Sequence, residues 1–321
     1  MSNVLNEIIT IMKKANNILL SSHLNPDGDN IGSLLGLGFS LKELGKNVTL
    51  LQLDDTPTYL EFLKGIECFT DVIPENIDLY ITLDCANKDR LGSAQKLLDD
   101  STIVSINIDH HRSNEKYGDY NYVKEDYSST SEVVYEILEL GGFSFPQETV
   151  DALLTGISTD TGRFLYQATS SKTLISAGKL VEKGANIRKI MFHLYENESL
   201  NAALLQNEIF SNAKFLFNEK VAISSISQSQ LDRYDSTMSE VDEVINRFKN
   251  IQGVELSILI KEKSKNISKV SFRSKTFVDV NDIADTFGGG GHKHASGCTI
   301  NENLMIAEEK IIERLNQIEW S

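Results

Sequence analysis

A chain of 321 residues, 40% hydrophobic and 24% charged, has the composition of a globular protein and the length of two ordinary domains. Its net charge of −15 argues against tight, sequence-blind binding of long nucleic acid, which draws on many basic contacts, but leaves room for a short anionic substrate. No apolar run approaches the ~20 residues of a membrane span, and Cys68, Cys85 and Cys298, an odd number without metal-ligand spacing, fit buried thiols in a reducing cytoplasm.

Residues 1–17 read as an amphipathic helix of mixed charge rather than a signal peptide. Residues 17–20 then read as a short buried strand, and Ile31, Leu34, Leu35, Leu41 and Leu44 fall at helical spacing beyond it. The crossover between them carries His23, Asp27 and Asp29. Pro26 predicts an extended Asn25 ahead of the helix. Asp27 and Asp29, two apart, suit two neighbouring ions better than one. Taken alone, the loop reads equally well as an Asx-turn with Asp29 as the helix cap.

Further strands are predicted over residues 48–53, over 79–83 ending at Asp84, and over 103–108 ending at Asp109-His110-His111. Helical stretches at 57–64 and 94–99 separate them. This alternation predicts a parallel sheet with helices on both faces. In such sheets ligands gather beyond the carboxyl ends of the strands, where the segments at His23, Asp84 and Asp109 all fall. A helix capped by Ser129 or Thr130 should stop at Gly141-Gly142. Another, from about Gln147, leads to Thr159-Asp160-Thr161-Gly162, and helices near 171–183 and 187–195 follow. The polar stretch after Tyr195 marks a boundary, giving an expected domain over 1–195, a helical or polar linker over 196–212 and a second domain over 213–321. The second domain shows strand patterns at 221–226, 254–260 and 267–272, a helix near 238–248, the run Gly288-Gly289-Gly290-Gly291-His292 and a last amphipathic helix over about 302–318.

Five of the six histidines lie in these loaded segments: His23, His110, His111, His292 and His294. Asp84 could cap a helix, Asp160 could brace a turn, and His110 and His111 could be core imidazoles. Together, at four element ends, His23, Asp27, Asp29, Asp84, His110 and Asp160 read as a metal centre. Mixed oxygen and imidazole donors suit manganese or a similar ion. Six ligands exceed one tetrahedral site, and four clustered carboxylates repel one another without cations. A bridged pair of divalent ions, the kind that activates water in phosphoryl displacement, resolves both points. Four successive glycines let backbone N–H groups approach an anion, with His292 beside them. Residues 261–275 hold six basic side chains and one acid, Arg273 among them.

These segments resemble the DHH phosphoesterase superfamily: His23-Leu24-Asn25-Pro26-Asp27-Gly28-Asp29, Asp84-Cys85-Ala86, Asp109-His110-His111 and Thr159-Asp160-Thr161-Gly162. The run from Gly288 to Gly297 resembles the motif of the DHH-associated C-terminal domain. The layout is most similar to the bacterial oligoribonuclease and 3′-phosphoadenosine 5′-phosphate (pAp) phosphatase group. The resemblance implies a cytoplasmic hydrolase with two Mn²⁺ ions, or Mg²⁺ or Co²⁺ in their place. His23, Asp27 and Asp84 would hold one ion; Asp29, Asp84, His110 and Asp160 would hold the other. It implies His111 at the scissile phosphate, Asp109 orienting an imidazole, and substrate contacts from Arg273, Gly288, Gly289, Gly290, Gly291 and His292. Expected partners are short RNA or nucleotide phosphates, with no long nucleic acid and no membrane; a homodimer stays open. Cyclic-dinucleotide hydrolysis, single-strand DNA exonuclease, pyrophosphatase and a non-catalytic nucleotide sensor are the alternatives. All six ligands being present speaks against the last.

Overall fold

A computed structural model describes residues 3–320; Met1, Ser2 and Ser321, at the ends of the two expected domains, lie outside the described residues. The chain divides between Asn197 and Glu198 into two compact units. In the first, the order is α1 (Asn3–Lys14), β1 (Asn17–Ser21), α2 (Gly28–Glu43), β2 (Asn47–Leu51), β3 (Phe69–Thr70), β4 (Leu79–Leu83), β5 (Val104–Asp109), β6 (Tyr120–Val123), α3 (Thr130–Gly141), α4 (Gln147–Asp160), α5 (Ser171–Glu182) and α6 (Ile187–Tyr195). All six strands are parallel, in the order β3-β2-β1-β4-β5-β6. The order reverses between β1 and β4, the place where a parallel sheet opens a crevice at its carboxyl edge.

One face of this sheet buries Leu20, Leu50, Ile81 and Ile106 against α2, α3 and α4; the other buries Leu19, Leu51 and Tyr80. The cover on that second face is thinner than the sequence suggests. Instead of an α-helix at 94–99 there is a 3₁₀ segment, Lys88–Asp99, broken at Gly92 (φ 56°), and residues 57–64 supply only the turn Thr58–Leu60. The short strands β3 and β6 had no clear period-two pattern to announce them.

The pairing that matters most to the site is α2 against α4. Gly28, Gly32 and Gly36 recur every four residues along α2, so they form one bare stripe. A Cβ on Gly32 would lie 2.6 Å from the Ala152 carbonyl oxygen and 2.9 Å from the Gly156 amide nitrogen, both on α4. The Thr149 hydroxyl of α4 donates to the Gly36 carbonyl at 2.9 Å. Close approach of these two backbones is what brings Asp29, at the start of α2, towards Asp160, at the end of α4. Gly32→Ala is therefore expected to destabilise the unit by ~1–2 kcal/mol, because overpacking costs ~1–3 kcal/mol while the better helix former returns at most ~1. Urea unfolding measures the loss. A variant as stable as the parent would show that the helices can part at no cost.

The second unit runs α7 (Leu200–Ser211), β7 (Lys214–Leu216), β8 (Val221–Ile226), α8 (Gln228–Tyr234), α9 (Val244–Lys249), β9 (Leu256–Ser264), β10 (Ile267–Ser274), α10 (Val280–Asp285), β11 (Gly290–His292), β12 (Ala295–Ile300) and α11 (Leu304–Leu315). Its mixed sheet has the order β11-β12-β10-β9-β8-β7, with only β8 and β9 parallel. Ile258, Val270 and Phe272 pack on α10 and α11; Ala222 and Leu259 pack on the opposite side with α7, α8 and α9. The α7 helix falls within the stretch 196–212, and its Leu205 and Ile209 are wholly buried in this second core. Among the described residues no helix is long and apolar enough to cross a membrane.

Candidate metal centre

The loop after β1 turns sharply instead of running extended. Asn25 sits at φ 58°, a left-handed conformation that asparagine tolerates, and its N–H donates to Asp54 Oδ2 at 2.7 Å. The cap of α2 is Asp27, not Asp29: its Oδ1 accepts from the Asp29 and Asn30 amides at 3.1 and 3.0 Å. That leaves Asp27 Oδ2 facing His23 Nε2 at 3.8 Å.

Asp84, 2% exposed, lies between His23 and His110, with His111 Nδ1 also 3.5 Å from its Oδ1. Its Oδ2 is 3.4 Å from His23 Nε2 and its Oδ1 3.7 Å from His110 Nε2. His110 Nε2 also stands 3.2 Å from Asp160 Oδ2. One donor group thus comprises His23, Asp27 and Asp84, a second Asp29, His110 and Asp160, and a third Asp84, Asp109, His110 and His111. Asp84 adopts φ 53°, a strained backbone for a residue other than glycine, costing ~1–3 kcal/mol.

Asp29 is gripped by an element the sequence reading had not connected to it. The first amides of α3 bind its carboxylate, Thr130 N–H to Oδ2 at 2.6 Å and Ser131 N–H to Oδ1 at 2.8 Å. The Thr130 hydroxyl reaches Asp84 Oδ1 at 3.0 Å. A helix N-terminus favours negative charge, so α3 is a natural seat for a carboxylate. Burial nevertheless outweighs these bonds and pushes Asp29 up to about 6. Asp84 and Asp160 are also raised, by burial first and then by the neighbouring carboxylates. Asp160 keeps 32% of its side chain exposed, more than Asp29 or Asp84 but less than Asp27 at 53%.

Asp109, fully buried, orients His111 rather than His110. Its Oδ1 accepts from His111 Nδ1 at 2.8 Å and from the His110 and His111 amides at 2.7 and 3.2 Å, and Asn114 Nδ2 donates to its Oδ2 at 2.6 Å. Burial works against a charged His111, but the Asp109 hydrogen bond and the Asp84 charge prevail and raise it to about 9. His110 is pushed down to about 4, by burial and then by His111, with its ring bonded to the Tyr127 backbone. A neutral His110 with Nε2 turned to the carboxylates is in the state a ligand needs. Arg90, which carried no sequence signal, donates from Nη2 to the Leu24 carbonyl at 3.1 Å, and that carbonyl lies 2.9 Å from His23 Nδ1, so it braces the ring's far edge and leaves Nε2 for the carboxylates.

A divalent pair fits this donor set. Two imidazoles present Nε2 to four carboxylates, and three of those carboxylates are raised by burial and by one another's charge, a repulsion that a divalent cation would relieve.

In the second unit, the glycine run forms a hairpin, β11 with β12. Gly288 (φ 69°) and Gly291 (φ 150°) use backbone freedom that other residues lack. Strand register sets Arg273 opposite Ala295, and Ala295 opposite His292, in one row on one face of the sheet. Lys249, at the end of α9, is lowered by burial and by the charge of Arg273, with Glu243 working the other way and Lys275 adding to the lowering, so three cations and one carboxylate meet there. Sequence reading missed Lys249 because it lies 24 positions from Arg273. Lys261, by contrast, leaves the basic face to pair with Asp242 at 2.5 Å. Gly289 packs against β12, where a Cβ would lie 2.3 Å from the Gly297 carbonyl. Gly290 is exposed.

Residues 17–157 match the DHH family, N-terminal domain, and residues 218–320 match the DHHA1 domain. The chain is 31% identical to a bifunctional oligoribonuclease and PAP phosphatase, NrnA, of Bacillus subtilis, over 92% of each chain. It is 29% identical to the protein of the same description from Thermus thermophilus, over 94% of this chain and 89% of that one. A crystal structure of an exopolyphosphatase-related protein from Bacteroides fragilis superposes with a TM-score of 0.90 at 25% identity, covering 97% of this chain and 96% of that one.

Proposed function

Because the chain belongs to the DHH family, we propose that it hydrolyses phosphoesters in short oligoribonucleotides and in pAp. The observation that carries the reading is Asp84 set between His23 and His110 at the β1/β4 switch point. The Bacillus and Thermus relatives, matched over nearly their whole lengths, are oligoribonucleases and PAP phosphatases.

In this reading His23, Asp27 and Asp84 would hold one divalent ion, and Asp29, Asp84, His110 and Asp160 would hold the other. When bound, such a pair supplies Lewis acidity, activating a water and neutralising phosphate oxygens. Every other role belongs to the chain. Asp27 and Asp29 stay ordered through the α2 cap and the α3 amides. His111, held by Asp109 through Nδ1, carries a proton at Nε2 for the phosphate or the leaving oxygen. Arg273, Lys249, His292 and the Gly288–Gly291 backbone hold the substrate's remaining anionic groups. Binding energy from that end serves only substrates long enough to offer it. With a net charge of −15, phosphates beyond those contacts add little, so long RNA and long DNA are poor substrates.

A manganese-dependent digest of di- to pentaribonucleotides, pAp, linear and cyclic dinucleotides, pyrophosphate and long single-stranded DNA tests the reading. Faster cleavage of pyrophosphate or long DNA than of the dinucleotide would sink it. Arg273→Ala and Lys249→Ala should each lower kcat/KM on pAp and short RNA by ~10–100-fold, since a charge-assisted hydrogen bond is worth ~1.5–3 kcal/mol. Bis-p-nitrophenyl phosphate should be cut nearly as before. Equal losses on both substrates would remove the role given to the C-terminal unit.

A further inference from the structure

We propose that Tyr117, helped by Asn107 and Asn114, is a positioning residue that fixes the left-handed backbone of Asp84. The inference rests on the two-metal reading for its consequence, but its geometry is independent of it. On the near side of Asp84, its own N–H donates to the Ile108 carbonyl at 3.0 Å, extending the β4–β5 ladder by one residue. On the far side, the Cys85 carbonyl receives three side-chain donors. Tyr117 OH is 2.8 Å away, Asn107 Nδ2 3.3 Å and Asn114 Nδ2 3.4 Å. Thr82, at the end of β4, closes the cage, its hydroxyl 3.1 Å from Tyr117 OH and 3.0 Å from Asn107 Nδ2.

With the chain pinned before and after Asp84, the torsions between have little freedom, and an otherwise unfavourable φ persists because its surroundings determine it. The loop between β5 and β6 that carries Asn114 and Tyr117 is a single brace with two ends. Asn114 also holds Asp109, the partner of His111. The Glu115 N–H donates to the Ala86 carbonyl at 2.9 Å, and Asn87 Nδ2 reaches Glu115 Oε1 at 3.0 Å, tying the loop down beside Asp84. Gly118 lets it approach, since a Cβ there would sit 2.9 Å from the Asn107 amide nitrogen.

Tyr117→Phe removes one hydroxyl and leaves the ring. Manganese titration followed by electron paramagnetic resonance should show affinity weakened ~10-fold or more, the size usual for a group that orients a ligand. The loss should appear in kcat with KM nearly unchanged. Tyr122→Phe is the control, because it deletes a hydroxyl bonded to Glu136 at 2.7 Å and should leave manganese affinity as in the parent. Equal weakening in both variants, or none in Tyr117→Phe, overturns the proposal. Should the parent bind no manganese, the two-metal reading fails, and the crystal structure of Tyr117→Phe still decides: Asp84 leaves the left-handed region if the brace holds it, and its staying there overturns the proposal.

Discussion

Asp84→Asn is expected to fold like the parent, lose turnover by roughly 10³-fold or more, and retain much less manganese. Asparagine keeps the side-chain shape and suits the left-handed φ that Asp84 adopts, so the substitution removes charge and little else. In the parent both Asp84 oxygens are engaged, Oδ2 towards His23 and Oδ1 towards His110 and the Thr130 hydroxyl. An amide offers one oxygen and no negative charge. It would leave His23, His110 and His111 without the charge they share. Metal analysis of the purified variant, set beside single-turnover rates at saturating manganese, measures both effects. Full turnover with full metal content would mean that the two donor groups work without a bridge.

His111→Ala should behave differently. Turnover falls by ~10²–10⁴-fold, the range for an acid–base group, while both ions stay bound. The reason lies in how the side chain is tethered. Its Nδ1 goes to Asp109, buried under Asn114 and two backbone amides, so the ring is oriented from behind and its other nitrogen is the one presented. His111→Ala also leaves Asp109 without its ring partner, and His111→Gln, which can reoccupy part of that bond, separates the lost proton from the lost packing. Loss of an ion on mutation to alanine would instead make His111 a ligand.

The residues that would touch metal were legible because they are local events. Each of His23, Asp84 and His110 follows a hydrophobic strand by at most a few positions, and an apolar run ending in His or Asp can be read from one segment. What holds those residues was not legible, because it depends on segments far apart in sequence. The α3 amides that bind Asp29 lie about a hundred positions away. Arg90 reaches His23 from a 3₁₀ segment whose irregular backbone gives no periodic pattern. The one overlooked signal was the Gly28, Gly32, Gly36 spacing, which on a helix announces close contact with a neighbour. The cap of α2 falls on Asp27, where the alternative reading of the loop has Asp29. Both are good capping residues, and two residues is within the usual uncertainty of a helix start. The glycine hairpin was hidden by its composition, since glycine carries little strand propensity and pairs there because β12 offers a partner.

The donors at His23, Asp84, His110 and Asp160 are drawn from four segments that only folding assembles. Unfolded chain offers no such cluster, so a cation that prefers the assembled arrangement acts on the folding equilibrium as well as on chemistry. At free metal 100-fold above its dissociation constant, one such ion adds ~2.7 kcal/mol to the folded state. Chelation should therefore lower the melting temperature of the N-terminal unit, by an amount that grows with the manganese withdrawn, while the C-terminal transition stays where it was. A cell short of manganese would then hold less of this protein as well as a less active one.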